Sequence, residues 1–324
     1  MKPVIWGIIS TADINRLLIP GAHASAKVEL AAVASRNQAQ ADAYAAKWEI
    51  PHAYGSYEEL LADPAIEAVY ISLPNTMHSE WSIRAAEAGK HVLCEKPFAR
   101  DPGLVEAAFD AAERAGTMLS EAFMYRHNPQ TSRAASLVAE GAIGELRVVR
   151  STFGYSLYDA DNIRLRPEVE GGALMDVGCY CVSGSRLFAG EAESVFGTAW
   201  TGPSGTDWVF AATMRFPGNV IALFDCGTAL PGRDELEAIG SEGSLFLDDP
   251  WHCREPVIEL RRGDEVELIA LEPVDSYRLE LENVSDAIRG EGELLLGRED
   301  AVAQARTLEA LHRSAGSEQQ VALA

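Results

Sequence analysis

An α/β architecture in two parts is what the sequence predicts: a doubly wound parallel sheet followed by an open, mainly antiparallel one. Three observations carry this. Short apolar runs alternate with helical periodicity through the first 123 residues, the rhythm of β-α-β crossovers. After residue 145 the pattern becomes a series of strand-like runs broken by Gly, Pro and acidic turns. The chain has 324 residues, which at roughly 150 residues per domain makes two.

The first strand is the apolar run 4–9, followed by a polar turn at Ser10, Thr11, Ala12 and Asp13 and a helical pattern carrying Ile14, Leu17, Leu18 and Ile19. A second strand falls at 28–34 and a helix at 37–48. AVYISLP at 68–74 precedes a helix ending near Gly89, HVLCEKP at 91–97 precedes a helix at 101–115, and LSEAF at 119–123 reads as another strand. Crossovers of this kind impose parallel pairing. A helix near 130–140 then leads through Gly141 and Gly144 into strands near 146–157, 193–201, 206–216, 219–227, 234–240, 243–248 and 256–270. Residues 299–313 read as a helix and SAGSEQQVALA as a frayed tail. The domains expected are therefore 1–123, 124–315 with a C-terminal helix, and a flexible tail at 316–324.

Composition narrows the partners. The chain is 47% hydrophobic and 23% charged, ordinary for a folded soluble protein. Its 49 Asp and Glu against 27 Lys and Arg leave a net charge of -22, which repels nucleic acid and anionic bilayers. A phosphate-bearing cofactor is still admissible, because backbone N–H groups in one concave loop offset the field locally. Five cysteines, without paired C-x-x-C spacing, point to a reducing cytosol and no structural metal. The first ten residues lack a secretory pattern, and no run is long enough to span a bilayer.

The turn after the first strand places Ser10, Ala12 and Asn15 where a dinucleotide-binding G-x-G-x-x-G would put its glycines, so it reads either as a phosphate cradle or as a structural turn. After the second strand, Ser35-Arg36 replaces the acidic residue that bonds a ribose 2′-hydroxyl. Arg36 therefore favours NADP over NAD, the plainer reading being a solvated helix-start arginine. Ser72 to His78 and Cys94 to Pro97 fall at strand ends, where ligands of doubly wound sheets collect. Asn75, Thr76 and His78 either position a ligand or cap a helix. Lys96 either pairs with Glu95 or stabilises a tyrosinate. In GGALMDVGCY at 171–180, helical i,i+4 spacing puts Asp176 and Tyr180 on one face, as an acid–base pair or as domain packing. Cys179 and Cys181 read as small core residues.

The ordered series GIISTADI, Ser72 to His78, EKP at 95–97, EAFMYRHNP at 121–129, GGALMDVGCY and GREDA at 297–301 resembles the glucose-fructose oxidoreductase, inositol dehydrogenase and rhizopine-catabolism superfamily across both domains. The resemblance implies a Rossmann domain joined to an open-faced α/β domain that associates through its sheet, as a homodimer or a tetramer. It also implies catalytic roles for Lys96, Asp176 and Tyr180, and a cis bond at Lys96-Pro97. Many relatives have histidine at the position of Tyr180, so tyrosine here implies the branch with NADP-dependent D-xylose dehydrogenase and dimeric dihydrodiol dehydrogenase. The expected activity is NADP(H)-dependent hydride transfer at a neutral sugar, by aldose C1 oxidation or carbonyl reduction. Oxidation of a trans-dihydrodiol and a redox-inactive nucleotide-responsive scaffold are the alternatives. Expected cofactor contacts are Ser10, Thr11, Ala12, Asp13, Ile14, Ser35, Arg36, Leu73, Pro74, Asn75, His78, Glu95 and Lys96. Arg126, Phe153, Tyr155, Arg164 and Trp208 are the substrate-side candidates, each with a structural alternative as a surface pair, core aromatic or interface anchor.

Overall fold

The computed structural model describes residues 2–157, 159 and 161–323. The chain forms two compact units: Met1–His127 with Asp275–Val302, and Asn128–Val274 with Ala303–Ala324.

In the first unit, strands β1 (Val4–Ile9), β2 (Val28–Ala34), β3 (His52–Tyr54), β4 (Ala68–Ile71), β5 (His91–Glu95) and β6 (Leu119–Ala122) form one parallel sheet in the order β3-β2-β1-β4-β5-β6. Helices α1 (Asn15–Ala24), α2 (Gln38–Trp48), α3 (Tyr57–Ala62), α4 (His78–Glu87) and α5 (Pro102–Ala115) make the connections. Strands β1 and β4 read as unbroken apolar runs because helices cover both faces; β4 is buried at all four residues. The strand order reverses between β1 and β4, so the binding crevice of this doubly wound sheet lies beyond the ends of those two strands.

The second unit holds α6 (Pro129–Ala139), β7 (Leu146–Ser156), α7 (Cys179–Ala189), β8 (Ser194–Thr201), β9 (Asp207–Arg215), β10 (Ile221–Gly227), β11 (Ala229–Gly240), β12 (Ser244–Asp248), β13 (Val257–Arg262) and β14 (Glu265–Ala270). With the last strand these form a nine-stranded sheet that is antiparallel throughout, except where β10 runs parallel to β7. Its core gathers Ala134, Leu137, Ile143, Ala238, Leu245, Leu247, Ile258 and Leu260.

Helices α8 (Ser276–Arg289) and α9 (Arg298–Ser317) and strand β15 (Val321–Ala322) complete the chain. Here the structure departs from the sequence reading. Helix α8, unassigned above, puts Leu281 and Val284 into the core of the first unit beside Trp6, Leu18, Leu30 and Tyr70. The second unit is accordingly not the continuous stretch 124–315. Residues 256–270 form two strands rather than one, because Gly263 turns the chain at φ 57°. In place of a frayed end, Val321 pairs with Val195 of β8, where edge-strand hydrogen bonds and the bond from Ser314 Oγ to the Gln319 carbonyl hold the segment. Among the described residues no helix is long and apolar enough to cross a membrane.

Candidate active site

At the switch point of the first unit, Ser10 adopts φ 116°, a conformation natural to glycine, where the dinucleotide turn has its first glycine. Tertiary bonds hold it there. Its hydroxyl is 2.9 Å from both the carbonyl oxygen and the hydroxyl of Ser72 at the end of β4, and it accepts from Ala12 N at 3.2 Å. Asn15, fully buried, donates to the Ser10 carbonyl at 3.0 Å and begins α1. Thr11 Oγ1 accepts from Gln40, which in turn accepts from Ser35 Oγ at 3.1 Å, tying the first turn to the end of β2. Asp13 instead faces solvent and pairs with Arg16. Arg36 is exposed beside buried Ser35, and its charge bears on the Tyr57 hydroxyl.

The neighbouring loops are clasped together by His78. Its Nε2 is 2.8 Å from the Leu73 carbonyl, and its Nδ1 is 2.9 Å from the Pro97 carbonyl. Burial and, to a lesser degree, the Lys96 charge push its proton affinity below the usual value against the pull of those carbonyls. The ring therefore shapes the loops of Asn75 and Lys96 and has no nitrogen to spare. The Lys96-Pro97 bond is cis. Glu95 accepts from the Tyr70 hydroxyl and from Lys96 N, so its carboxylate braces the backbone of the lysine. Arg126 is mostly buried and lies 3.6 Å from Asp300 in the GREDA segment, within the same unit.

In the second unit two of the expected residues meet at Asp176. The Asp176 carboxylate accepts from Tyr155 at 2.5 Å through Oδ2 and from Arg164 Nε at 3.0 Å through Oδ1. Burial and the Asp176 charge together push the Tyr155 hydroxyl well above the usual phenol range, so Tyr155 stays a donor. Tyr180 is 6% exposed, packed edge-on against Phe153 at 5.3 Å and tilted against Trp251 at 5.9 Å. The helix differs from the regular α-helix assumed above. Leu174–Gly178 is a π-helical turn, and α7 starts at Cys179, a widening frequent at functional sites. Gly178 admits it because a Cβ there would meet Cys226 Sγ at 2.8 Å. Trp208 does not join this cluster; it stands edge-on to Trp200 and donates to Ser204.

Two further features escaped the sequence reading. Asp207, at the start of β9, accepts from Leu174 N at 2.7 Å at the head of the helix bearing Asp176 and Tyr180. Asp234, Asp249 and His252 bring possible metal-ligand atoms within 4.8 Å of one another, but these groups already have protein partners: His252 Nδ1 is 2.6 Å from Asp234, and Arg254 is 2.5 Å from Asp249. All five cysteines are buried and free.

Both halves of the chain have counterparts among known proteins. Residues 4–123 match the family described as "Oxidoreductase family, NAD-binding Rossmann fold", and residues 131–246 match the "GFO/IDH/MocA C-terminal domain". An uncharacterized oxidoreductase of Rhizobium meliloti is 40% identical over 97% of this chain and 98% of its own. D-xylose 1-dehydrogenase (NADP(+)) 2 of Haloferax volcanii is 39% identical over 96% and 97%. The solved structure of KijD10, a 3-ketoreductase from Actinomadura kijaniata in complex with NADP and TDP-benzene, superimposes with a TM-score of 0.91 at 30% identity over 96% and 98%. With both halves matched in order and relatives aligned along nearly the whole length, the chain belongs to the Gfo/Idh/MocA oxidoreductase family.

Proposed function

We propose that this protein catalyses NADP(H)-dependent hydride transfer at a sugar, as aldose C1 oxidation to the lactone or the related carbonyl reduction. The carrying observation is the Asp176 carboxylate, held by Tyr155 and Arg164 just before Tyr180, in a chain similar over nearly its whole length to a D-xylose 1-dehydrogenase (NADP(+)). The donor set at the end of β2 fits this cofactor. An NAD site would have a carboxylate for the ribose 2′-hydroxyl, whereas here Ser35 is buried and Arg36 offers a guanidinium suited to a 2′-phosphate.

When bound, NADP(H) supplies the hydride acceptor or donor. Residues 10–14, Ser35, Arg36, Leu73, Pro74, Asn75 and Lys96 hold it, with His78 and Glu95 keeping the two loops in shape. Tyr180 takes the proton of the reacting hydroxyl during oxidation and returns it during reduction. Lys96 stabilises the tyrosinate through its positive charge. Asp176 orients the sugar through its carboxylate, which Tyr155 and Arg164 hold in place. Arg126, Phe153, Arg164 and Trp208 are the further substrate-side candidates, Phe153 through its contact with Tyr180 and Arg164 through its bond to Asp176. Solved variants of KijD10 that replace one tyrosine by phenylalanine and one lysine by alanine support the pairing. Those two positions are separated by as many residues as Lys96 and Tyr180. The remaining proposals are a homodimer, with a tetramer as the larger assembly, and a cytosolic setting that keeps the buried thiols reduced.

The test is a panel of aldoses, ketoses, deoxyaldoses and trans-dihydrodiols assayed with NADP, NAD and their reduced forms, for the wild type and Tyr180→Phe. The variant is expected to lose about 10²- to 10⁴-fold in kcat while binding NADP(H) as before. Unchanged kinetics in Tyr180→Phe would remove the role given to this tyrosine. Tight NADP binding without turnover on any sugar would overturn the substrate class.

A further inference from the structure

The helix bearing Asp176 and Tyr180 has no cap from the residue that precedes it. Its Leu174 amide is met from elsewhere in the second unit: Asp207 Oδ2 accepts from it at 2.7 Å. The approach is close enough to demand glycine opposite. Gly172 has φ 127°, and a Cβ there would lie 2.0 Å from Asp207 Oδ1. Gly172 in turn connects both sides of the Asp176 network. Its carbonyl accepts from Asp176 N at 2.9 Å, and its amide donates at 2.8 Å to the carbonyl of Arg164, the residue whose guanidinium returns to Asp176.

We propose that Asp207 is a positioning residue: as a carboxylate it fixes the start of the π-helical turn, and thereby Asp176 and Tyr180, and on protonation it weakens its hold on them. The inference rests on the roles proposed above for Asp176 and Tyr180. Its chemical basis is the charge on the acceptor: the Leu174 amide donates to a carboxylate oxygen, and a neutral acid or amide in its place would accept a weaker bond.

Burial pushes the Asp207 carboxyl up to about 6, against the opposite pull of the Leu174, Asp207 and Ala173 amides. Among the described residues no cation lies within salt-bridge distance of it. The titratable group against it from β10 is Cys226, a buried thiol raised by burial and also by the Asp207 charge. Beyond Gly172, Asp176 and Arg164 are joined to each other, and Tyr180 follows one turn later. The direction follows from these groups. Above pH about 6 Asp207 is ionised and the cap is complete; as the pH falls through that value, the carboxyl protonates and the cap loosens.

The test compares wild type with Asp207→Asn and Asp207→Ser, the serine retaining one acceptor. In the wild type, kcat is expected to fall below pH 6, and the amides of residues 173 and 174 to exchange faster there than their intrinsic rates explain. Asp207→Asn is expected to show kcat lowered about fivefold or more at pH 8, no acid limb near pH 6, and unchanged NADP(H) affinity. Asp207→Ser should fall between the two, and it serves as the test if the asparagine variant does not fold. Wild-type kcat with an intact acid limb in either variant would overturn the proposal, as would pH-independent exchange at residues 173 and 174. Exchange that responds to pH while Tyr180→Phe keeps wild-type kinetics would instead refute the role of Tyr180 and leave the cap standing.

Discussion

Asp176 and Glu280 show how differently two carboxyl groups of one chain are used. Asp176 has a donor on each oxygen, which keeps it a carboxylate able to orient a substrate hydroxyl. Glu280, on α8, is fully buried, and neither oxygen has a hydrogen-bond partner among the described residues. Burial first, then the charges of Glu95 and Asp275, raise its proton affinity well above the usual carboxylate value. The folded state therefore keeps this proton after the unfolded chain has lost it, so stability declines as the pH rises from the ordinary carboxylate range towards the folded value. Glu280→Gln, neutral throughout, is expected to escape that decline. Melting temperatures measured from pH 4 to pH 8 should show the variant gaining on the wild type as the pH rises. A constant or shrinking difference would contradict a neutral Glu280. Ser10 is a third case, a non-glycine residue at positive φ whose hydroxyl bonds to Ser72 offset a conformation that its own chain neighbours disfavour.

Strand ends and helix caps make up the functional elements, and their visibility in sequence varies for physical reasons. The end of β2 was plain because Ser35-Arg36 follows an unbroken apolar run. Arg36→Glu is expected to weaken NADP binding by about tenfold or more and to spare NAD, since a 2′-phosphate loses a charge-assisted partner and meets a like charge. Equal NADP affinity in titrations of the two proteins would dismiss Arg36 as a selectivity residue. Helix α8 was missed even though its punctuation was in view: Asp275 caps it through Tyr277 N at 2.9 Å, and Gly290 ends it at φ 71°. Its charged face interrupts the apolar pattern, and only the partners Trp6, Leu18 and Tyr70, hundreds of residues earlier, reveal what Leu281 and Val284 cover. The π-helical turn was hidden for a related reason. It packs close through the space that Gly178 leaves for Cys226, a neighbour supplied by a strand far along the chain.

For the molecule as a whole, the open face of the nine-stranded sheet carries exposed Phe196 and Leu223 among alternating charges such as Arg150 and Glu237. A surface of this composition is suited to self-association. Sedimentation velocity is expected to give a dimer that Leu223→Glu dissociates; a wild-type monomer at all concentrations would refute the assembly and leave hydride transfer untouched. Linear pattern was enough for the two-part architecture and the parallel pairing of the first sheet, because apolar periodicity is local, while the roles proposed for Lys96, Asp176 and Tyr180 rest on the family resemblance of their motifs. Folding alone determined that residues 275–302 return to the first unit, that Tyr155 and Arg164 are the residues holding Asp176, that His78 is a clasp, and that Asp207 caps the helix of Tyr180. Each of these joins groups distant in sequence, and a hydrogen bond or buried contact between such groups exists only once packing has brought donor and acceptor together.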